Sequence, residues 1–313
     1  MKILIAYDGS EGADIGIDAL RRAGLPAEAE ALVISVAEVW LPPPGDEVPD
    51  EIFPLKSPPG LKQARQRAVR KIEQAQQVAG RGSKLVQGIF PGWRVDHEAL
   101  SGSPAFELMN RAGEWLPNLI VVGSHGHTAL GRFVLGSVSQ KILTEARTSV
   151  RVGRRAIGSG ASAERIVVGA DGSPGSQAAV RAVAARKWSP GSEVRVIVAY
   201  DSMKAFPAIL LPPVNESVDE VNESEHAQAQ EIAAEAAKEL RAGLDDKSVI
   251  VSVAVEAGDP KQVLVREAEE FGADCIFTGA TGFSSRLERL VLGSVSAAVA
   301  ARAHCSVEVV REQ

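Results

Sequence analysis

Gly123, Gly126 and Gly136 punctuate the stretch GSHGHTALGRFVLGSVSQ (123–140), and Ser137 and Ser139 follow the last of them. Glycines in a loop let backbone N–H groups approach a ligand with no Cβ in the way. A helix opened by Gly136 and Ser137 offers the unpaired N–H groups of its first turn, with its dipole, to an anion. The hydroxyls of Ser137 and Ser139 can add donors. These residue types in this order suit a polyphosphate. The simpler reading is that the glycines end a strand and Ser137 caps a helix. The stretch GATGFSSRLERLVLGSVS (279–296) repeats the arrangement with Gly279, Gly282, Gly293 and Ser294-Val295-Ser296. Repetition of the whole loop favours a ligand site.

A second loop is duplicated as well. ILIAYDGSEGADIGIDAL (3–20) resembles IVVGADGSPGSQAAVRAV (166–183), so Asp8-Gly9-Ser10 is matched by Asp171-Gly172-Ser173. Asp8 and Asp171 form Asx-turns that end a strand, contact an adenine or a metal, or do both. His125 and His127 flank Gly126. They donate to phosphate, bind a metal with it, or are simply solvated, and two histidines alone do not make a zinc site. Arg132, with Arg286 or Arg289 in the second copy, either offsets phosphate charge or lies in solvent. Neither glycine loop ends in Gly-Lys-Ser/Thr or contains a lysine. Beyond Asp8 and Asp171 no obvious base or metal-holding carboxylate accompanies them. Phosphoryl transfer depends on such groups, whereas holding a nucleotide does not, so binding is favoured over turnover.

The elements that must position these loops are written twice. In the first copy KILIAY (2–7), ALVISVAEV (31–39), WRVDHEAL (93–100), NLIVVG (118–123) and SVRVG (149–153) read as strands. Residues 11–23, 61–79, the segment after Ser103-Pro104, and 137–146 read as helices, with Ser103 as N-cap and Pro104 at the first helical position. The second copy keeps this order and ends in SVEVV (306–310). Apolar strands alternating with helices imply a parallel sheet covered on both faces. In such doubly wound sheets ligands bind beyond the carboxyl ends of the strands, where strand order reverses. The Asp-Gly-Ser and glycine-rich loops both follow strand ends, and they line one crevice if strands one and four are neighbours.

SGSPAFELMNRAGEWLPNLIVVGSHG (101–126) resembles AGDPKQVLVREAEEFGADCIFTGATG (257–282), so the repeated unit is a whole domain. The first copy is longer, and the excess falls in the Pro- and acid-rich segment 40–60, WLPPPGDEVPDEIFPLKSPPG. The join near 154–164, RRAIGSGASAE, is small, polar and Gly/Ser-rich, as a flexible linker should be. The organisation read from this is a domain at 1–154, a linker at 155–164 and a second domain at 165–313.

A chain of 313 residues agrees with that count, at roughly 150 residues per domain. With 45% hydrophobic and 24% charged residues it has the composition of a soluble globular protein. Aromatics are only 4%, so Ala, Val, Leu and Ile must build the cores, with Trp40, Trp93, Trp115 and Trp188 as packing residues. The net charge of −6 and the lack of a Lys/Arg block argue against nucleic acid. Apolar runs of strand length argue against a membrane span, and no signal-peptide layout is present, so a cytoplasmic protein is expected. Cys275 and Cys305 show neither metal-ligand spacing nor a disulfide framework. Cys275 reads as core filling rather than as a reactive thiol.

On these residues the chain resembles a tandem universal stress protein over nearly its full length. The family's nucleotide signature is Gly, two residues, Gly, nine residues, Gly, then Ser or Thr. Gly123, Gly126, Gly136 and Ser137 match it. The resemblance implies two doubly wound five-stranded parallel-sheet domains of the adenine nucleotide alpha hydrolase-like kind, each holding ATP, with or without Mg²⁺, in its crevice. It puts the loop after strand one (Ala6, Tyr7 and Asp8; Ala170 and Asp171 in the second copy) near the adenine. It puts Val36 and Ala199, at the end of strand two, beside the base. Ribose and phosphates fall to Gly123, Ser124, His125, Gly126 and His127, with Gly136, Ser137, Val138 and Ser139. In the second copy ten residues, not nine, separate Gly282 from Gly293, which either bulges the loop or moves its donors. The resemblance further implies that 149–153 and 306–310 pair as an intramolecular pseudo-dimer and that the output is a stress-response change in conformation or partner; whether whole chains also form a homodimer is not written in the sequence. A slow ATPase or phosphotransferase, and a dimerising scaffold with empty sites, stay open beside that reading.

Overall fold

The computed structural model describes residues 1–39, 61–126, 135–155, 163–200, 218–282 and 292–312. Trp40, His127, Arg132, Arg286, Arg289 and the insertion up to residue 60 lie outside the described residues.

The first half runs β1 (Lys2–Ala6), α1 (Glu11–Asp18), β2 (Glu30–Ala37), α2 (Leu61–Ile89), β3 (Arg94–Ser101), α3 (Pro104–Trp115), β4 (Leu119–Gly123), α4 (Ser137–Glu145) and β5 (Ser149–Gly153). The second half repeats it as β6 (Arg165–Gly169), α5 (Pro174–Ala184), β7 (Glu193–Tyr200), α6 (Val218–Gly243), β8 (Ile250–Ala257), α7 (Pro260–Phe271), β9 (Cys275–Gly279), α8 (Ser294–Arg302) and β10 (Ser306–Val310). All strands join one ten-stranded sheet in the order β3-β2-β1-β4-β5-β10-β9-β6-β7-β8. Pairing is parallel within each half and antiparallel only where β5 meets β10. The pseudo-dimer is therefore built inside the chain, and the seam removes what would otherwise be two exposed sheet edges. Strand order reverses between β1 and β4, and again between β6 and β9, which are the positions where a doubly wound sheet opens a crevice.

The cores are aliphatic, as the scarcity of aromatics requires. Ile3, Leu4 and Ile5 of β1 and Val167 and Val168 of β6 are essentially inaccessible, because helices cover both faces of the sheet. Trp93 stacks on Phe90 and donates from Nε1 to the Pro26 carbonyl at 2.9 Å. Trp188 packs edge-on against Phe277 and donates to the Val183 carbonyl. Cys275 and Cys305 are fully buried, and burial pushes the Cys275 thiol up to about 11, the state of a core-filling sulfur.

Two helices end differently from the sequence expectation. α1 stops at Asp18 and tightens into a 3-10 turn over Ala19–Arg22, so the helix expected over 11–23 is shorter. α2 does not end at residue 79 but runs on through Gly80, Gly82 and Gly88 to Ile89. A Cβ on Gly82 would lie 2.6 Å from the Tyr7 ring and 3.0 Å from Val33, so the glycine that lowers helix propensity is what lets α2 lie against β2 and the turn after β1. At the two ends of the expected linker, Arg154 and Glu164 are buried. Residues 156–162 between them lie outside the described residues. Among the described residues no helix is long and apolar enough to cross a membrane.

Candidate functional site

Each Asp-Gly-Ser loop is an Asx-turn that runs into a helix cap. Asp8 Oδ1 accepts from the Ser10 backbone N–H at 2.9 Å and from the Ser10 hydroxyl at 2.6 Å. Gly9 takes φ +78°, where a side chain is strained. Ser10 then caps α1 by accepting from Ala13 N–H. Asp171, Gly172 and Ser173 repeat the turn and cap α5. The two copies brace it differently. Arg81, from α2, donates to the Gly9 carbonyl at 2.8 Å and to the Tyr7 hydroxyl, which itself donates to Asp14. Burial, and then the bond to Asp14, raise the Tyr7 pKa, so the phenol keeps its proton. In the second copy Gln177 donates to the equivalent Gly172 carbonyl, and Ala170 stands where Tyr7 does.

The glycine loops meet these turns closely. A Cβ on Gly123 would lie 2.6 Å from the Gly12 carbonyl oxygen, and one on Gly12 would overlap the His125 carbonyl. Gly279 and Gly175 stand in the same relation, with Gly175 against Thr281. These glycines therefore let the loop after β4 or β9 lie on the first turn of α1 or α5, a reason beyond ligand approach. Gly12 and Gly175 were missed from the sequence, although DGSEG and DGSPG display both. A Cβ on Gly126 would lie 2.6 Å from Asp8 Oδ2, and one on Gly282 2.9 Å from Asp171 Oδ2. Each aspartate thus spans the crevice mouth, one oxygen in its own turn and the other against the opposite loop.

α4 begins at an N-cap glycine, Gly136, with no side-chain cap, and Ser137 is the first helical residue rather than the cap. α8 begins in the same way at Gly293. By contrast Ser10, Ser173 and Asp259 cap α1, α5 and α7. The first-turn amides of α4 and α8 are consequently left facing the crevice. The second serine of each GSVS behaves otherwise than expected. Ser139 Oγ donates to the Gly123 carbonyl at 2.7 Å and Ser296 Oγ to Gly279 at 2.5 Å, so these protons hold the helix to the strand end and are not ligand donors. We expect Ser139→Ala to cost about 0.5–1.5 kcal/mol in urea unfolding, the net range for one hydrogen bond to a part-buried carbonyl. A loss well under that range would mean water replaces the hydroxyl.

The two loops, the end of β2 and the start of α3 enclose a cavity of about 440 Å³. Ala6, Tyr7, Asp8, Val36, Gly123, His125, Gly126, Gly136, Ser137, Val138 and Ser139 line it. Ser124 lies behind this wall, its hydroxyl 2.9 Å from His125 Nδ1. The second half encloses about 330 Å³, lined by Ala170, Asp171, Ala199, Gly279, Gly282, Gly293, Ser294, Val295 and Ser296. Gly136 N–H donates to Ser124 at 2.8 Å and Gly293 N–H to Ala280 at 2.7 Å, so the second loop is anchored like the first despite its extra residue. Sequence reasoning overlooked the wall from α3 and α7, Pro104 with Leu108 and Pro260 with Leu264. It also overlooked Glu38, and Thr278, whose buried hydroxyl has no partner among the described residues and stands where the first copy has Val122. Among the described lining residues the charged side chains are Asp8 and Glu38 in one cavity and Asp171 in the other. Among the described residues, positive potential therefore comes from backbone amides and the helix ends. No group of three or more His, Cys, Asp or Glu stands together among the described residues.

Comparison with known proteins bears on the whole chain. The universal stress protein family matches residues 1–154 and again 163–311. A universal stress protein of Thermus aquaticus is 34% identical over 144 residues, 46% of this chain and 91% of the relative. One from Methanocaldococcus jannaschii is 33% identical over 159 residues, 48% of this chain and 80% of the relative. A crystal structure of a universal stress protein from Archaeoglobus fulgidus superimposes with a TM-score of 0.61 at 19% identity, covering 100% of this chain and 98% of its own. Another, from Pseudomonas aeruginosa, gives 0.55 at 15% identity over 99% of this chain and 92% of its own. These two share the fold across both halves. Matched twice along its length, the chain belongs to the universal stress protein family and carries two of its domains in tandem.

Proposed function

We propose that the chain binds an adenine nucleotide, ATP in the first instance, in the crevice of each half, and that the loaded state changes its conformation or its contact with a partner. The observation that carries this is the pair of helices α4 and α8. Each opens without a side-chain cap, from a glycine, into a cavity at the reversal of strand order. First-turn amides at Ser137, Val138 and Ser139, and at Ser294, Val295 and Ser296, would hold phosphate. Val36 and Ala199, with Ala6 and Ala170, form the apolar side against which a base would lie. Among the described residues the donor set fits an anion without supplying a side-chain cation, and Mg²⁺ brought with ATP would neutralise its phosphates. In this reading the protein acts in the cytoplasm as a stress-response regulator, not as a catalyst.

Denaturing freshly purified protein and running the supernatant on anion exchange is expected to release an adenine nucleotide. Calorimetric titration of nucleotide-free protein with ATP should show binding. Absence of both results overturns the reading in favour of a scaffold. Turnover well above background, lost in Asp8→Asn, would make the protein an ATPase instead.

A further inference from the structure

Helices α4 and α8 are tied at their N-termini to their own half, through Ser139 and Ser296, but at their C-termini to the other half. Arg311, just past β10, donates from Nη2 to the Leu143 carbonyl in the last turn of α4 at 2.6 Å. Arg154, just past β5, donates from Nη2 to the Ala300 carbonyl in the last turn of α8, also at 2.6 Å. The backbone N–H of each arginine is held across the seam as well, Arg311 by Ser149 Oγ and Arg154 by Ser306 Oγ. Both arginines are more than nine-tenths buried. α4 has no basic residue of its own in the last turn, where a cation complements the helix dipole and its unpaired carbonyls. Burial pulls both guanidinium pKa values down to about 10, still far above neutrality.

We propose that Arg311 and Arg154 are crossed positioning residues, each fixing from the opposite half the helix whose N-terminus opens the other half's crevice. Leu143 lies six residues along α4 from Ser137, so the clasp and the crevice are separated by about 9 Å of one rigid element. A change of seam geometry on one side is thereby transmitted to the anion-facing amides of the other. The functional consequence rests on the nucleotide reading above, whereas the clasp itself does not.

Hydrogen exchange tests the clasp without ligand. Arg311→Gln is expected to speed amide exchange across α4 about tenfold and to leave α8 unchanged, with Arg154→Gln doing the reverse. Arg311→Lys, which keeps the charge, should restore much of the protection. Faster exchange in the arginine's own half, in both helices alike or in neither overturns the proposal. Calorimetry with ATP in a Gly282→Val background reads the first site alone. There Arg311→Gln should weaken affinity by about three- to tenfold and Arg154→Gln should not. Unchanged affinity in Arg311→Gln overturns the coupling. If wild-type protein takes up no ATP, the nucleotide reading fails, while the exchange data still decide the clasp.

Discussion

Gly126→Val is expected to abolish ATP binding at the first crevice. A Cβ at this position would lie 2.6 Å from Asp8 Oδ2, well inside van der Waals contact. Asp8 cannot easily turn away, because its other oxygen accepts two hydrogen bonds from Ser10 that shape the turn after β1. A valine must therefore push the loop or the carboxylate, and either movement disturbs the amides at the mouth of the cavity. We expect a loss of at least about a hundredfold in affinity, close to 2.7 kcal/mol, at this site. Calorimetry should count one site fewer than in wild type, with thermal unfolding used to show that the variant is folded. Gly282→Val should act likewise on the second site, where the corresponding gap is 2.9 Å. An unchanged dissociation constant in Gly126→Val would remove the loop from the binding argument.

Much of this arrangement was legible in the sequence because duplication makes the pattern visible twice. Two apolar strands followed by Asp-Gly-Ser, and two followed by Gly-x-x-Gly and GSVS, place the same pair of loops at the same pair of strand ends. That pattern suffices for the alternation of strands and helices and for most of the cavity lining, whereas the neighbouring of strands one and four comes from the sheet order itself. What escaped depends on contacts between distant residues. The helix read over 61–79 stops short of Gly80 and Gly82, yet α2 runs past them, with Gly82 packed against Tyr7 and Val33. Ser139 reads as a donor for ligand, yet its proton is committed to a carbonyl sixteen positions earlier. Arg154 reads as the first polar residue of a linker, yet it is buried against Ala300, well over a hundred positions away. Periodicity reports which face of an element is apolar. It does not report which polar group on a neighbouring element will meet a side chain once the sheet has closed.

The seam between the halves carries the other large prediction. SVRVG and SVEVV pair antiparallel about their middle residues, so Arg151 falls directly opposite Glu308. Both side chains are 1% exposed, and they form an ion pair at 3.1 Å. Arg186 holds the second oxygen of Glu308 and also donates to the Ala23 carbonyl, which ties the turn after α5 to the turn that follows Ala19–Arg22. Arg151 donates in addition to Cys275 Sγ at 3.1 Å. Removing the carboxylate would leave two desolvated guanidinium groups in one place. Glu308→Ala is accordingly expected to cost about 3–5 kcal/mol in urea unfolding, the range for stranding a buried charge. Arg151→Met alone strands the opposite charge less severely, because Arg186 still pairs with Glu308. The double replacement Arg151→Met with Glu308→Leu should recover only part of the loss, since it removes one stranded guanidinium and leaves Arg186 without its carboxylate; adding Arg186→Met, which removes the last charge over the seam, should recover most of the rest. A loss below about 1 kcal/mol in Glu308→Ala, as is usual for surface pairs, would mean that water reaches the seam and that backbone pairing of β5 with β10 alone holds the halves together.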